Sequence, residues 1–479
     1  MTASPSKKPV VIVGGGLAGL AAAVRLAEHQ VPTTVIETRM RLGGRATSFV
    51  DPTSQALLDN CQHVLMRCCT NLIDLYQRLG VMDHFTWHRT LYWADARGRA
   101  DTLEADDWPA PLHMSRSMAR FKLLTWREKL AISRAMLAMM RTRLAQRDAL
   151  DALPFSDWLK QHHQPQSAID KYWEVVVVSA CNETLDRVSS RYAIQVFAQG
   201  FLNHPDAYEM GLANVPLVKL YDPAQSLIHD AGGQLHLQTG AEGFVYDGQR
   251  ITGLKLRDGQ VIPSDTFISA VPFDRLDKLA SPDMRDHDAR LQQLDRFTVS
   301  PIIGIHLTFR TPAGEPVMKR PHLILQQSPI QWIFNKGDDL AHENAQHLHC
   351  VISAAHDWVD QSADALVRMA LSALHQAIPA TQQAALVHSR VVKEKRATFA
   401  VTPDLDAIRP TTQPTPGQGI DNLLLAGDWT ATGWPATMEG AVRSGYLAAQ
   451  AVLEQRGQSV RPLLADDLQP GPLYRMLSR

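Results

Sequence analysis

Near the N-terminus the apolar positions change their spacing twice. Residues 10–13, Val-Val-Ile-Val, are an unbroken apolar run of the kind buried on both faces of a sheet, residues 17–27 read as a small-residue helix, and residues 33–36 form a second short run ending on Glu37. This order predicts a βαβ unit. Residues 115–147 carry Phe121, Leu123, Leu124, Trp126, Leu130, Met136, Leu137 and Met140 among polar positions and predict an amphipathic helix or helix pair. Between residues 232 and 271, four runs with strand character, 234–239, 243–246, 251–256 and 266–271, are separated by turns, two of which are Asp-Gly pairs (247–248 and 258–259), and predict a β-meander. Strands are expected at 302–309 and 350–353, a linker at 409–419, and a buried strand at 422–426 followed by a helix running to about Glu454.

The pattern as a whole predicts an α/β fold. A Rossmann-like dinucleotide-binding domain, parallel sheet plus meander, is expected from residues 1–85, 210–275 and 418–456; an interleaved α+β domain is expected from 86–209 and 276–417, and a tail from 457–479. A chain of 479 residues is long enough to need more than one core.

Charge and cysteine usage narrow the possible partners. A net charge of -1 and a pI of about 7.0 give no reason to expect nucleic acid. The five cysteines, Cys61, Cys68, Cys69, Cys181 and Cys350, form no C-x-x-C pair, which points to a reducing, cytoplasmic compartment and to no metal site. Residues 1–9 lack the apolar core of a signal peptide, and no stretch approaches 18 apolar residues. Residues 115–147 are an exception to the even balance. They hold Arg116, Arg120, Lys122, Arg127, Lys129, Arg134, Arg141, Arg143 and Arg147 against the single acid Glu128. Two readings stay open for this segment: a helix lying on a bilayer surface, and an ordinary domain helix with a solvated face.

Three separated motifs carry the candidate chemistry. In the first, Gly14 permits a tight turn, Gly16 lets the backbone approach a pyrophosphate in front of Leu17 and Ala18, Gly19 lets the helix lie close on the sheet, and Glu37 falls where a ribose 2′-OH needs an acceptor. The second is Arg39, Arg41, Gly43, Gly44 and Arg45, paired glycines flanked by guanidinium groups that can neutralise phosphate. The third is Gly427 and Asp428 at the end of an apolar strand, followed by Trp434, Pro435, Ala436, Thr437 and Met438 at the start of a helix. That helix N-terminus carries about half a positive charge, which stabilises a facing anion by roughly 0.3–2 kcal/mol. No second Gly-x-Gly-x-x-Gly follows a strand downstream, so the electron donor is expected to be a separate, unidentified partner.

This combination resembles the flavin amine oxidase and carotenoid desaturase superfamily, in which the R-x-G-G-R turn and the C-terminal Gly-Asp-plus-helix segment complete one FAD site. Within it the chain is most similar to the hydroxysqualene dehydroxylase family of hopanoid biosynthesis, through residues 58–65 (LDNCQHVL), 69–80, 402–405 and 433–445 (GWPATMEGAVRSG). The resemblance implies FAD as cofactor, Gln62 and His63 beside it, the 86–209 and 276–417 segments as substrate domain, and reductive removal of a hydroxyl from hydroxysqualene to give squalene and water. Its proton-donor candidates are His63 and Asp59. The alternative is that Asp59 caps a turn and His63 contacts cofactor through its backbone. Tyr172, Trp173, Val175–Val178, Phe197 and Phe201 offer wall material for the substrate, or are simply core.

One position departs from the family: its pattern places glycine between Asn60 and Gln62, where this chain has Cys61. Glycine there would allow close flavin approach or a positive φ. Other activities of the same fold remain open, namely carotenoid desaturation, amine or porphyrinogen oxidation, and non-catalytic prenyl-lipid binding. A thirty-carbon isoprenoid gains on the order of 20 kcal/mol on leaving water, so delivery is expected at a membrane surface, with the protein peripheral on the inner face of the cytoplasmic membrane.

Overall fold

The computed structural model describes residues 8–142, 149–311, 315–338 and 344–478. Its first layer is a sheet of five parallel strands in the order Gln234–His236, Thr33–Ile36, Val10–Val13, Phe267–Ser269, Leu423–Leu425. The helix Leu17–Glu28 is buried from Leu17 to Ala27, because it is enclosed between this sheet and the C-terminal helix Met438–Gln455. Enclosure on both sides is why its sequence is alanine-rich all round rather than amphipathic.

The meander is shorter than the four runs in the sequence suggest. Only Ala241–Tyr246, Ile251–Leu256 and Val261–Pro263 form it, joined by the two Asp-Gly turns in which Gly248 and Gly259 have φ of +99° and +89°. The outer runs instead supply strands to the parallel sheet, where Phe267–Ser269 is fully buried between two neighbours. Alternation cannot separate these roles, since a short apolar run suits either sheet.

The second layer is a seven-stranded sheet in the order Ala385–Phe399, Val299–Arg310, Ala345–Ile352, Trp332–Asp338, His322–Leu325, Leu91–Ala94, Ala100–Leu103. All its pairings are antiparallel except that of His322–Leu325 with Leu91–Ala94. The strands expected at 302–309 and 350–353 belong to its long members. Two helices, Glu174–Cys181 and Ser190–Phe197, adjoin single π-helical turns at Ile169–Trp173 and Ala198–Leu202.

The basic segment is two helices, Ser115–Arg120 and Trp126–Arg141; Arg143 and Arg147 lie outside the described residues. The break falls where Phe121 turns extended and buries its ring. The second helix restarts on a capping box, with Thr125 accepting from the Glu128 N–H and the Glu128 carboxylate accepting from the Thr125 N–H. Glu128 also receives the Lys171 ammonium at 2.8 Å. Burial alone would raise this carboxyl, but Lys171, Ser167 and the cap bring it down to about 2. The tail ends in a short helix, Pro472–Leu477, that packs on Trp126–Arg141 with Tyr474 buried. Among the described residues, no helix is long and apolar enough to cross a membrane.

Four buried histidines make the fold acid-sensitive. Burial holds His306 and His349 well below the usual imidazole value of 6.5, His113 at about 4 and His322 at about 3. These rings stay neutral when folded and protonate near 6.5 when unfolded, so their stabilisation is complete above that pH and is lost as pH falls below it. Each contributes a slope of about 1.4 kcal/mol per pH unit. Urea midpoints measured from about pH 7.5 down to about pH 5 should fall steeply, and His322→Phe should flatten the slope by about one proton. A flat profile in the wild type would contradict the buried neutral rings.

Candidate functional site

A single cavity of about 880 Å³ runs from the ends of the parallel strands into the helical layer. At its first end the strand Val10–Val13 leads into Gly14–Gly16, and the helix starts at Leu17 with Gly16 as N-cap and no side chain on its first N–H groups. Gly14, Gly16, Leu17 and Ala18 line the cavity. Gly19 faces the sheet instead: a Cβ there would stand 1.9 Å from the Gly14 carbonyl oxygen, whereas a Cβ on Gly16 would meet no protein atom nearer than 3.8 Å. An uncapped helix terminus that lines the cavity fits a pyrophosphate. Glu37 is fixed beside it, accepting from the Gly15 N–H at 2.8 Å and the Arg39 N–H at 2.7 Å, and each oxygen retains a lone pair for a ribose hydroxyl.

The second motif lies against the first. The Gly43 N–H donates to the Gly15 carbonyl at 2.9 Å, Arg39 donates to the Gly44 carbonyl at 3.0 Å, and Arg39, Gly43, Gly44 and Arg45 all line the cavity. Arg41 does not line it. Its guanidinium donates to the Ser48 carbonyl at 3.0 Å and braces the turn, because the chain reverses here into the strand Ser48–Val50. Arg45 reaches the third motif, pairing with Asp428 at 2.5 Å and donating to the Ala397 carbonyl at 3.1 Å.

In that third motif Gly427, Asp428 and Trp434 to Met438 all line the cavity, and the helix Met438–Gln455 begins with the Thr437 hydroxyl accepting from the Gly440 N–H at 3.1 Å. Two residues absent from the sequence reading shape this end. Arg409, 5% exposed, gathers the carbonyls of Asp428, Trp434 and Thr430. Glu439 accepts from the N–H groups of Asn71 and Leu72 and from Arg443 at 2.7 Å. A lone Arg in a Pro-rich linker and a Glu in a first helical turn carry no periodic signal. Glu242, Arg257, Arg275 and Lys278, also unforeseen, complete the cavity wall.

The Asp59 to His63 segment divides its roles. Asp59 is buried and does not line the cavity: its carboxylate accepts from the Ser48 hydroxyl at 2.8 Å and the Leu217 N–H at 3.0 Å, and meets the Lys336 ammonium at 3.3 Å. Those partners give Asp59 a bracing position rather than access to a reactant. Gln62 and His63 do line the cavity. His63 Nδ1 lies 3.0 Å from the Cys61 carbonyl, which can only accept, so Nδ1 carries the hydrogen and Nε2 is left as an acceptor. Burial lowers the His63 pKa, and Arg45 and Lys336 push in the same direction, so the ring is neutral.

Cys61 has no left-handed backbone, so glycine is not required there. It packs with Leu212, Phe334 and Val351, and burial pushes its thiol up to about 12, beyond useful nucleophilicity. Behind the segment, His306 donates from Nε2 to the Asp59 carbonyl at 3.0 Å and stacks on His349 with ring centres 3.9 Å apart. One further carboxyl lines the same stretch of cavity. Glu394, on the strand Ala385–Phe399, makes no hydrogen bond or ion pair among the described residues.

Beyond this polar edge the wall is apolar and aromatic, with Leu91, Trp93, Leu103, Met210, Ile324, Trp332 and Phe334. Of the wall residues considered from sequence, Tyr172, Val175, Val176 and Phe201 face the cavity, whereas Trp173, Val177, Val178 and Phe197 are core. Both π-helical turns contribute here, the first through Tyr172 and the second through Gln199, Gly200 and Phe201. Such turns re-aim side chains out of the helical register.

Comparison with known proteins agrees with this geometry. The family model for flavin containing amine oxidoreductases matches residues 17–453. A 15-cis-phytoene desaturase of Synechococcus elongatus is 26% identical over 479 residues, covering 95% of this chain and 99% of that protein. A chloroplastic/chromoplastic 15-cis-phytoene desaturase of an Oncidium hybrid cultivar is 28% identical over 478 residues, covering 96% of this chain and 80% of that protein. Among solved structures, cyclohexylamine oxidase from Brevibacterium oxydans shares the fold, with a TM-score of 0.68, 16% identity, and coverage of 95% of this chain and 100% of that one.

A Cβ on Gly16 would stand 3.8 Å from the Gly44 Cα, an ordinary contact distance, and makes a direct test. Gly16→Ala should leave the far-ultraviolet spectrum and the thermal midpoint of cofactor-free protein nearly unchanged, while bound cofactor, read by visible absorbance per polypeptide, falls at least about tenfold. Gly19→Val should fail to fold. Full cofactor occupancy in Gly16→Ala would remove the pyrophosphate from this helix terminus.

Proposed function

Because the chain belongs to the flavin containing amine oxidoreductase family, we propose that it is an FAD-dependent oxidoreductase that removes the hydroxyl of hydroxysqualene to give squalene and water. FAD is the cofactor of the fold. One observation carries the choice of substrate class: the cofactor cradle opens without interruption into a chamber walled mainly by apolar and aromatic residues, with Gln62, His63 and Glu394 among its polar groups and Ser179, Asn182, Gln195 and Gln199 also on its wall. That shape suits a long hydrocarbon carrying one polar group at the reacting carbon.

When bound, FAD supplies hydride transfer. The protein supplies the rest. The helix start at Leu17, with Glu37 and Arg39, holds the pyrophosphate and ribose, and the Trp434–Met438 turn with its helix N-terminus favours negative charge at the cavity. Neutral His63 accepts a hydrogen bond from the substrate hydroxyl at Nε2, and the Glu394 carboxyl is assigned to pass a proton to the same oxygen. The C–O bond then breaks and the oxygen leaves as water. Trp332 and Tyr172 offer ring faces to the positive charge that develops on the allylic carbons, in a wall with few competing nucleophiles. Asp59 and His306 keep this segment in place from behind.

A second reading, oxidation of a carotenoid by hydride flow in the opposite direction, is favoured by the desaturase names of the curated relatives. Anaerobic mixing of the photoreduced enzyme with hydroxysqualene separates the two. Dehydroxylation requires reappearance of oxidised-flavin absorbance with squalene in equal amount. An inert mixture, together with bleaching of oxidised enzyme by phytoene, would establish the second reading instead.

Glu394→Gln should slow that single turnover by about a hundredfold or more, with visible absorbance and cofactor content unchanged. His63→Gln should cost less, and Asp59→Asn should act mainly on thermal stability. An unimpaired Glu394→Gln rate would exclude Glu394 as proton donor.

A further inference from the structure

Five of the eleven large apolar side chains that stand exposed on the described surface come from one neighbourhood: Trp108, Leu112, Trp126, Leu130 and Met476. Trp126 and Leu130 are 71% and 53% exposed and sit one helical turn apart, on the face opposite the buried Ile132, Ala135 and Met139. The elements that bear four of the five pack on one another, and Trp108 lies in the loop that the Asp106 N–H closes onto the His113 carbonyl at 2.8 Å. The turn Leu112–Met114 packs on Ser115–Arg120, which packs on Trp126–Arg141, and the tail helix Pro472–Leu477 with Met476 packs on the same helix. The Lys129 ammonium bonds the Ala119 carbonyl at 2.8 Å across the junction of Ser115–Arg120 with Trp126–Arg141.

The rim of this patch is cationic. Between residues 108 and 141, Arg116, Arg120, Lys122, Arg127, Arg134 and Arg141 are exposed, and the only acid in that stretch, Glu128, is buried against Lys171. Four acids border the rim: Asp106 lies 4.0 Å from Arg116, Asp107 is exposed beside Trp108, the Asp101 carboxylate accepts from the Lys122 N–H at 2.5 Å, and the Glu104 N–H donates to the Ser117 hydroxyl at 3.0 Å. We propose that this face docks on an anionic bilayer surface, with the tryptophans and leucines entering the acyl boundary and the six cations meeting lipid phosphates. A second copy of the chain is a poor occupant, since a two-fold contact would set cation against cation.

The patch also backs directly onto the cavity. Met114, two residues from exposed Leu112, lines the cavity on the inner side of the same turn. Docking here places that wall of the chamber at the lipid, the phase in which a long isoprenoid resides. The purpose of docking rests on the isoprenoid reading above, but the binding itself is scored without substrate, so the two fail separately.

The test uses the full-length, flavin-loaded protein and sedimentation with vesicles of phosphatidylcholine alone or with about one third phosphatidylglycerol. Binding should be confined to the anionic vesicles, weaken as salt rises, and blue-shift and dequench tryptophan emission. Trp126→Glu with Leu130→Glu should lower the partition coefficient at least about tenfold, with thermal midpoint and flavin content unchanged. The proposal is overturned by absence of wild-type binding to anionic vesicles at low salt, or by binding that the double variant leaves intact. It is equally overturned if light scattering shows a dimer that the double variant dissociates, which would make a second copy the occupant.

Discussion

The contact on which the site depends is the seating of one glycine turn on another at the ends of the parallel strands. The Gly43 N–H on the Gly15 carbonyl, with Gly16 and Gly44 facing each other, brings the R-x-G-G-R turn against the first helix with no side chain between them. Room is thereby left in front of an uncapped helix terminus, where unpaired N–H groups are tolerable only if solvent or a ligand satisfies them. Arg45 extends the same junction to Asp428, 383 residues further along the chain, so three stretches meet around one opening.

Two buried hubs keep that opening in shape. Asp59 fastens its segment to Ser48, Leu217 and Lys336, and Arg409 fastens the turn before the C-terminal helix through three backbone carbonyls. Each hub satisfies polar groups that would otherwise be buried without partners, at a typical penalty of about 1–3 kcal/mol per group. The division of labour along residues 59–63 follows from this. Asp59 is occupied in bracing, while His63, its Nδ1 held by the Cys61 carbonyl, lines the cavity with Nε2 left as an acceptor.

The helical layer links interior to surface. Tyr172 and Phe201 are re-aimed into the cavity by π-helical turns, and the Glu128–Lys171 pair ties the first of those turns to the basic helix whose outer face carries Trp126 and Leu130.

The dinucleotide motif, the parallel-sheet class and the flavin were legible in the chain because each rests on local chemistry: an apolar run, glycines at fixed offsets, and an acid at the end of the next strand. The cavity-lining residues Gly14, Gly16, Leu17, Ala18, Glu37, Arg39, Gly43, Gly44 and Arg45, and those from Gly427 and Asp428 to Trp434–Met438, could be named for the same reason, and the family model matches residues 17–453. What local pattern could not carry was direction and partnership. Arg41 and Arg45 flank the same two glycines, yet one braces Ser48 and the other reaches Asp428. Runs of equal apolarity went to the meander or to the parallel sheet according to what lay on either side of them. Arg409, Glu394 and the stacked His306 and His349 acquire their roles only when strands and linkers far apart in the chain are brought into contact, because burial and hydrogen-bond partnership are properties of the packed molecule and not of any residue or its spacing.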